Sequence, residues 1–532
     1  MNAKKLCALL LSTVLAVSAM AGCGKSPTGG STEPAKTAQP KEEKLSGFLV
    51  SKDPIEFKIH MHYFDRIVFD DNWLVFKKAA EMTNVKLKGT ASAVSANSKE
   101  TFNMLMASGD IPEIVHYQMS SIAKFGPDGA FIPLNDLIEK NAPNIKAFLE
   151  KNPDVKKRMT SNDGNIYSIP FIADGDVAEG WMLRKDWLSK LELKEPKTAD
   201  EYYNVLKAFR EKDPNGNGKK DEVPFFNRDN RAGTRDLLPI FGLPEDWYAD
   251  KNGKIHNPAY DPEYKNAMQN IQKWYEEGLI DPEIYTRGAK ARDILFEGNL
   301  GGSTHDWFAS TLSYNTKLKD KVPGFNLSVI APPNEVNGKA FEATSRPKLT
   351  SVSSAWAISQ KNKKPVETIK YFDFWFTPEG RRLAVFGVEN VHYTMVNGKP
   401  IFKEEMLKGK EPLLTLLNKD GAGLEIGVQQ DFFYEEQGMD EGAKAAVKMY
   451  MDKKLPMEAL PSLSFTPEEK AVNDAKWTAI QTYIEETRQK WTLGGEPVAA
   501  GFDKYIAKLK EMGIEEILKN YQAAYDRLMK SK

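Results

Sequence analysis

The sequence predicts an α/β protein with more than one core, on three observations. Strand-like runs alternate with amphipathic helices from residue 55 onward. The chain has 532 residues, long for a single core when domains run about 100–200 residues. No internal repeat interrupts the alternation.

The elements follow in order. "IEFKIHMHY" places Ile55, Phe57, Ile59 and Met61 at period two, the pattern of a strand, and "NWLVFKKAAEMT" then reads as a helix. "NVKLKGT" is a second strand. "SKETFNMLMASGD" is a helix with Phe102, Leu105 and Met106 on one face and Gly109 as its stop, and "PEIVHYQ" is a third strand. This βαβαβ order favours a parallel sheet. Further on, "SSAWAIS" is a buried strand and "KKPVETIKYFDFWFTPEGRRLAVFG" a helical hairpin; from about Met439 the pattern is mostly helical.

The amino end, "MNAKKLCALLLSTVLAVSAMAGCGKS", sets Lys4 and Lys5 before an apolar run that ends near Ala21, the form of an export signal over 1–22. Met20-Ala21-Gly22-Cys23 resembles a bacterial lipobox, so Cys23 is the expected site of lipid attachment. The only other cysteine, Cys7, lies inside the signal, which removes disulfide, thiolate-metal and cysteine-nucleophile chemistry from the exported part. Residues 23–47 are rich in Gly, Ser, Thr, Pro and Lys and read as a flexible tether.

Charge is balanced, with 73 Lys and Arg against 74 Asp and Glu, so nothing points to nucleic acid or to tight contact with anionic lipid. Ten tryptophans and nineteen tyrosines, in an exported chain, suit a carbohydrate ligand, whose C–H faces pack on aromatic rings. No G-x-S-x-G elbow, H-E-x-x-H motif or phosphate-cradling glycine loop occurs, which speaks against an exported hydrolase or lyase. His60 and His62 raise a metal-carrying alternative.

"EKDPNGNGKKDEVPF" crowds oxygen donors into one loop. Asp213, Asn215 and Asn217 alternate, Gly218 permits a sharp turn, and Asp221 and Glu222 add two carboxylates. That is the D-x-N-x-N-G order of an EF-hand-like calcium loop, without the glutamate of the twelfth position, where Pro224 stands. A solvated turn built on Asp-Pro and Asn-Gly is the plain alternative.

A cleft for sugar needs planar apolar platforms and polar groups around them. "GGSTHDWFAS" offers paired glycines that free the backbone for a loop, then His305, Asp306 and Trp307. His62 and Tyr63 leave the first strand at its carboxyl end, where α/β clefts collect ligands, and Tyr117 and Gln118 leave the third in the same way.

At this point the residues resemble a family, the extracellular solute-binding proteins of ABC sugar importers, and within it the large lipoprotein branch related to alginate-oligosaccharide binders. "FNMLMASGDIPEIVHY", "GAFIPLNDLIEKNAPNI", "DGNIYSIPF", the block from Trp181 to Phe225, "YEEGLIDPE" and "FGVENVHYTMVNGKP" follow in the family's order. The resemblance implies a two-lobed Venus-flytrap fold of the periplasmic-binding-protein kind, each lobe a mostly parallel sheet flanked by helices, with a helical carboxyl-terminal part. It places lobe 1 at 48–170 and 353–392 and lobe 2 at 171–352 and 393–532, with crossings near Ser168–Ala173, Ser353–Ile358 and Val391–Val396. Trp181, Arg184, Trp356, His392 and Tyr393 lie beside those crossings and join the expected ligand contacts, though Arg184 has a structural alternative in an ion pair with Asp186. The resemblance further implies structural Ca²⁺ held by Asp213, Asn215, Asn217, the main-chain oxygen of Lys219, Asp221 and Glu222. It implies a monomer, anchored on the outer face of the cytoplasmic membrane, that carries an oligosaccharide to ABC permease subunits. A flytrap binder of peptides is the alternative.

Overall fold

A computed structural model describes residues 47–530 apart from 93, 95, 96, 162, 176, 229–232, 344, 345, 351, 410, 462 and 464. The export signal, Cys23 and all but the last residue of the tether lie outside the described residues.

Two sheets organise the chain. The first gathers β1 (Ile55–Tyr63), β2 (Ile67–Val68), β3 (Val85–Gly89), β4 (Ile114–Gln118), β5 (Ile169–Pro170) and β12 (Ser354–Ile358) in the order β2-β1-β4-β12-β5, with β3 also on β1. β1 runs parallel to β3 and β4, as the βαβαβ pattern requires, and β12 returns antiparallel to β4. The intervening helices are Leu74–Thr83 and Ser98–Ser108, the second stopped by Gly109 at φ +65°, a left-handed angle that favours glycine. The expected buried strand is thus β12, and the helical hairpin is Pro365–Phe374 with Pro378–Phe386.

The second sheet has β6 (Glu179–Arg184), β7 (Val223–Phe225), β10 (Gly301–Trp307) and β11 (Leu327–Val329) in the order β11-β6-β10-β7. β8 (Tyr248–Ala249) and β9 (Ile255–His256) form a separate small hairpin, as do β13 (Tyr393–Val396) and β14 (Lys399–Phe402). Only β7 and β10 are parallel in the second sheet, so the expectation of mostly parallel sheets holds at the heart of the first and not in the second. The chain between β6 and β10 is long and largely helical, and a connection of that length can bring a strand back in either direction. The last quarter of the chain is helical as expected, through Pro467–Thr492, Val498–Met512 and Ile514–Lys530.

Three groups of buried apolar side chains follow these sheets. One covers the first sheet and draws residues from Val50 to Ile172 and from Leu349 to Tyr434. The other two lie on the second sheet: Trp181 and Leu183 of β6 enter one while Met182 between them enters the other, the period-two alternation of a strand buried on both faces. Tyr393, Phe402, Leu417, Leu424 and Ile426 pack into the first group. The sequence boundary at 392, which gave that stretch to the second lobe, is therefore corrected: the chain returns to the second core only near Met439.

Three segments link the cores, and they are knitted to one another. Ile172 N donates to Val428 O (2.9 Å), Gln430 N to Ile172 O (2.8 Å) and Ala173 N to Lys348 O (2.9 Å). The first crossing falls beside the expected place. The second and third do not, because Ser353–Ile358 is an inner strand of the first sheet and Val391–Val396 runs into a hairpin on that side. No helix of the described residues is long and apolar enough to cross a membrane.

Candidate functional site

The site grows from the end of β10. The paired glycines there do not make a loop: a Cβ on Gly302 would lie 2.7 Å from Phe209 Cδ2 and 2.9 Å from Pro224 O. They let β10 lie close against its neighbours, and that seats the residues after them. In register with β6, His305 faces Trp181, Asp306 faces Gly180 and Trp307 faces Glu179.

His305 donates its position to a buried pair: Nε2 lies 3.0 Å from Glu342 Oε1, and its ring packs edge-on against Trp181 at 5.3 Å. Burial alone would lower its pKa, but Glu342 facing it, with Glu245 and Glu179 beyond, raises it to about 10. Asp306, 3 % exposed, accepts from Arg228 Nε (3.0 Å) and pairs with Arg292 Nη1 (2.9 Å). Glu179 is pushed up to about 7 by burial, with Asp306 adding to the rise. Trp307 is 38 % exposed, and its ring carries the Arg346 guanidinium at 5.7 Å.

Arg346 stands on the second linking segment. It donates from Nη1 to Glu435 Oε2 (2.7 Å) and from Nη2 to Glu435 Oε1 (2.5 Å) and Gln430 Oε1 (2.7 Å), both residues of the third linking segment. The arrangement therefore joins an open aromatic face to the place where the two cores meet.

The other expected contacts are placed differently. Trp356 is fully buried in the first core against Tyr371, Phe372 and Trp375, and Trp181 in the second against Tyr202 and Phe225. Arg184 is buried, bonded through Nε and Nη2 to Asp186 (2.8 and 2.6 Å), and bracketed by the rings of Trp187 and Phe325, the structural alternative rather than a ligand contact. His392 takes the Val388 N–H on Nδ1 (3.0 Å) and faces Asp420 through Nε2 (3.1 Å), while Tyr393 is buried beside it. Core packing removes these five from the cleft. Tyr63 accepts from Glu425 N (3.2 Å), Tyr117 stacks on Phe102 at 4.2 Å, and Gln118 is partly buried at the start of the helix Met119–Phe125.

His62 is wholly buried beneath this surface, with no hydrogen-bond partner on either ring nitrogen. His60 and His62 share a face of β1, as alternate strand residues do, whereas His116 of β4 is in register with Met61 and packs its ring on Tyr63 at 4.7 Å, on the other face. Burial lowers His60 and His116 to about 4. Among the described residues no group of three or more His, Cys, Asp and Glu is arranged to hold a metal ion, and that includes the acids of the 213–222 loop.

Sequence reasoning missed Arg228, Arg292, Arg346, Glu179, Glu342 and Glu435. No local motif marks them. Their partners lie 14 to 89 residues away in the chain or across a sheet, so only the fold brings them together.

The loop after the helix Ala199–Glu211 is closed by its own side chains. Asp213 Oδ1 accepts from Gly216 N (2.9 Å) and Asn217 N (3.0 Å), and Oδ2 from Gly218 N (3.0 Å). Asn215 Nδ2 and Asn217 Nδ2 donate to Asp221 Oδ1 (3.1 and 3.0 Å), and Lys219 N donates to Asn217 Oδ1 (2.8 Å). Glu222 is buried with neither carboxylate oxygen hydrogen-bonded, and burial raises its pKa, the amides of Glu222 and Asn215 offsetting part of the rise.

Two cores joined by three interlaced segments, with a polar surface and an open ring beside the joint, define a two-lobed binding protein. The chain matches the family described as bacterial extracellular solute-binding protein over residues 59–382, and it belongs to that family. A crystal structure of the alginate-binding protein AlgQ2 without calcium ion is similar at 43 % identity and a TM-score of 0.82, over 90 % of this chain and 99 % of that one. The fructooligosaccharide ABC transporter substrate-binding protein FusA of Streptococcus pneumoniae is 26 % identical over 99 % of this chain and 98 % of its own length. The lipoprotein LipO of Bacillus subtilis is 26 % identical over 80 % of this chain and 84 % of its own. The family is one of binding proteins, and AlgQ2 and FusA are each named as one.

Proposed function

We propose that the protein captures an oligosaccharide between its lobes and hands it to the permease of an ABC importer. The lobes are 48–172 with 349–427, and 177–342 with 439–530, and the third linking segment, 428–438, packs partly on the first core. The observation that carries the reading is Trp307, a large apolar ring left open beside the linking segments among arginines and carboxyls. A sugar presents a C–H face to such a ring and hydroxyls to its polar surround. The same balance favours a uronate-containing chain. Asp306 is one carboxylate against two guanidiniums, Arg228 and Arg292, which leaves that triad one positive charge in excess. Likeness to AlgQ2, named for alginate, points the same way, whereas FusA is named for a neutral sugar.

Calorimetric titration with alginate oligomers, fructooligosaccharides and short peptides tests the reading. Binding of the uronate series, weakening with salt, is the expected result. Binding of peptides alone would overturn it.

The loop at 213–222 fits structural calcium. Its donors are the hard oxygens that Ca²⁺ takes, and Glu222 is a buried carboxylate left without a partner, which a cation would supply. Asp213, Asn215, Asn217, the Lys219 carbonyl, Asp221 and Glu222 would hold it, as structural reinforcement where a helix meets β7. Lipid at Cys23 would anchor the monomeric chain outside the cytoplasmic membrane, consistent with the lipobox and with likeness to a lipoprotein. Cys23→Ala should move the protein from the membrane fraction to the medium; a variant still membrane-bound would sink the anchor.

A further inference from the structure

The amide oxygen of Gln430 is where the three linking segments meet. It accepts from Arg346 Nη2 (2.7 Å) on the second segment and from Asp174 N (3.2 Å) on the first, while its own backbone belongs to the third. Asp174 Oδ2 in turn accepts from Phe432 N (3.0 Å), and Arg381, reaching from the helix Pro378–Phe386, donates to the carbonyls of Gln429 and Gln430. Arg346 is the member of this knot that reaches out of it. Its guanidinium lies 5.2 Å from the ring of Phe432 and 5.7 Å from the ring of Trp307, so it fills the space between the third segment and the end of β10.

We infer that Arg346 is a positioning residue that couples the orientation of the Trp307 ring to the arrangement of the linking segments. A cation over one face of an indole is attracted by the ring's negative quadrupole and limits its rotation. That cation is itself fixed by a two-point bond to Glu435, a planar fork on a planar carboxylate. Any movement of the third segment relative to the second alters the Arg346–Glu435 pair and so releases or tightens the ring. Coupling between sites is reciprocal, so whatever packs on the open face of Trp307 favours the linker arrangement in which Arg346 is seated. Glu435 makes no hydrogen bond to Trp307, yet its loss should be felt there.

The coupling rests on Trp307 being the ligand platform only for its effect on affinity; its effect on the ring stands without any ligand. The test uses the mature chain labelled with 5-fluorotryptophan, with the Trp307 resonance assigned through Trp307→Phe. In the ligand-free protein, Glu435→Gln and Arg346→Met should both shift and broaden the Trp307 signal, and Arg346→Lys should restore it only partly because a point charge cannot make the two-point bond. Folding is checked by the remaining tryptophan signals, which should stay in place. An unmoved Trp307 signal in a folded Glu435→Gln variant overturns the inference. With an alginate oligomer as probe, the same two variants should bind about tenfold more weakly, within the usual range of coupling between sites. If the wild type ignores every sugar tried, the functional proposal fails while the spectroscopic arm still decides the coupling.

Discussion

Asp306 and Trp307 are consecutive residues of β10 with opposite surroundings: Asp306 is 3 % exposed between two arginines, and Trp307 is 38 % exposed at the end of the strand. They are also bonded, Trp307 N donating to Asp306 Oδ1 at 2.7 Å. The buried acid therefore holds the backbone from which the open ring projects, and the two should respond differently to truncation.

Trp307→Ala removes an apolar platform that is 38 % exposed. Its melting temperature should stay near that of the wild type, while affinity for the bound oligosaccharide falls by at least about 2 kcal/mol, the scale of an aromatic anchor. Core truncation of a tryptophan would instead cost roughly 3–5 kcal/mol of stability. Thermal melting and titration on the same sample separate the outcomes.

Asp306→Ala should show the reverse order of effects. It leaves Arg228 and Arg292, whose side chains are 37 % and 22 % exposed, without their shared carboxylate, so the loss should fall below the roughly 3–5 kcal/mol of a fully buried pair. Denaturant unfolding measures it. A loss below about 1 kcal/mol would mean that solvent already screens these arginines.

How far the sequence revealed this site depends on the range of the interactions. His305, Asp306 and Trp307 stood out as a contiguous run after paired glycines, but the glycines read as a loop and instead lie within β10. β1, β3, β4 and β12 were legible because burial on a pleated surface writes a period of two into the sequence. Arg346 was not, since its meaning lies in Glu435 and Trp307, 89 and 39 positions away. Trp181 and Trp356 misled for a related reason: a tryptophan beside a polar residue looks the same in a core as in a cleft, and only packing against Tyr202 or Trp375 tells them apart. The lobe boundary at 392 slipped because the hairpin β13–β14 carries no local sign of which core it joins.

Acid should weaken the first lobe through His60 and His116. Their folded pKa values are lowered from 6.5 to about 4, so the unfolded chain binds protons first. The stability they supply is complete above pH 6.5 and is lost as pH falls toward 4. Glu179 runs the other way, since a carboxyl raised to about 7 costs stability when it ionises and that cost fades on acidification. Comparing wild type with His60→Asn isolates the histidine: the variant should lose less stability between pH 6.5 and 4 in denaturant titrations. Parallel acid limbs for the two proteins would show that His60 does not contribute.

Calcium should stabilise the second lobe through Glu222, and the sign of the effect can be read against chelator. Burial raises the pKa of Glu222, and the Asp213 and Asp221 charges add to the rise, so in chelator Glu222→Gln, which removes that charge, should melt no lower than the wild type. Added calcium then stabilises only the native state that binds it, by RT ln(1 + [L]/Kd), about 2.7 kcal/mol at a hundredfold excess over Kd. The wild type should gain most of that and the variant little of it, so the order of the two melting temperatures diverges as calcium rises. Sugar affinity should hold in the variant, because the loop joins the helix Ala199–Glu211 to the start of β7 while Trp307 sits at the far end of the neighbouring strand β10. If calcium raises neither melting temperature, Asp221 stays with the amides of Asn215 and Asn217, and the loop is a solvated turn.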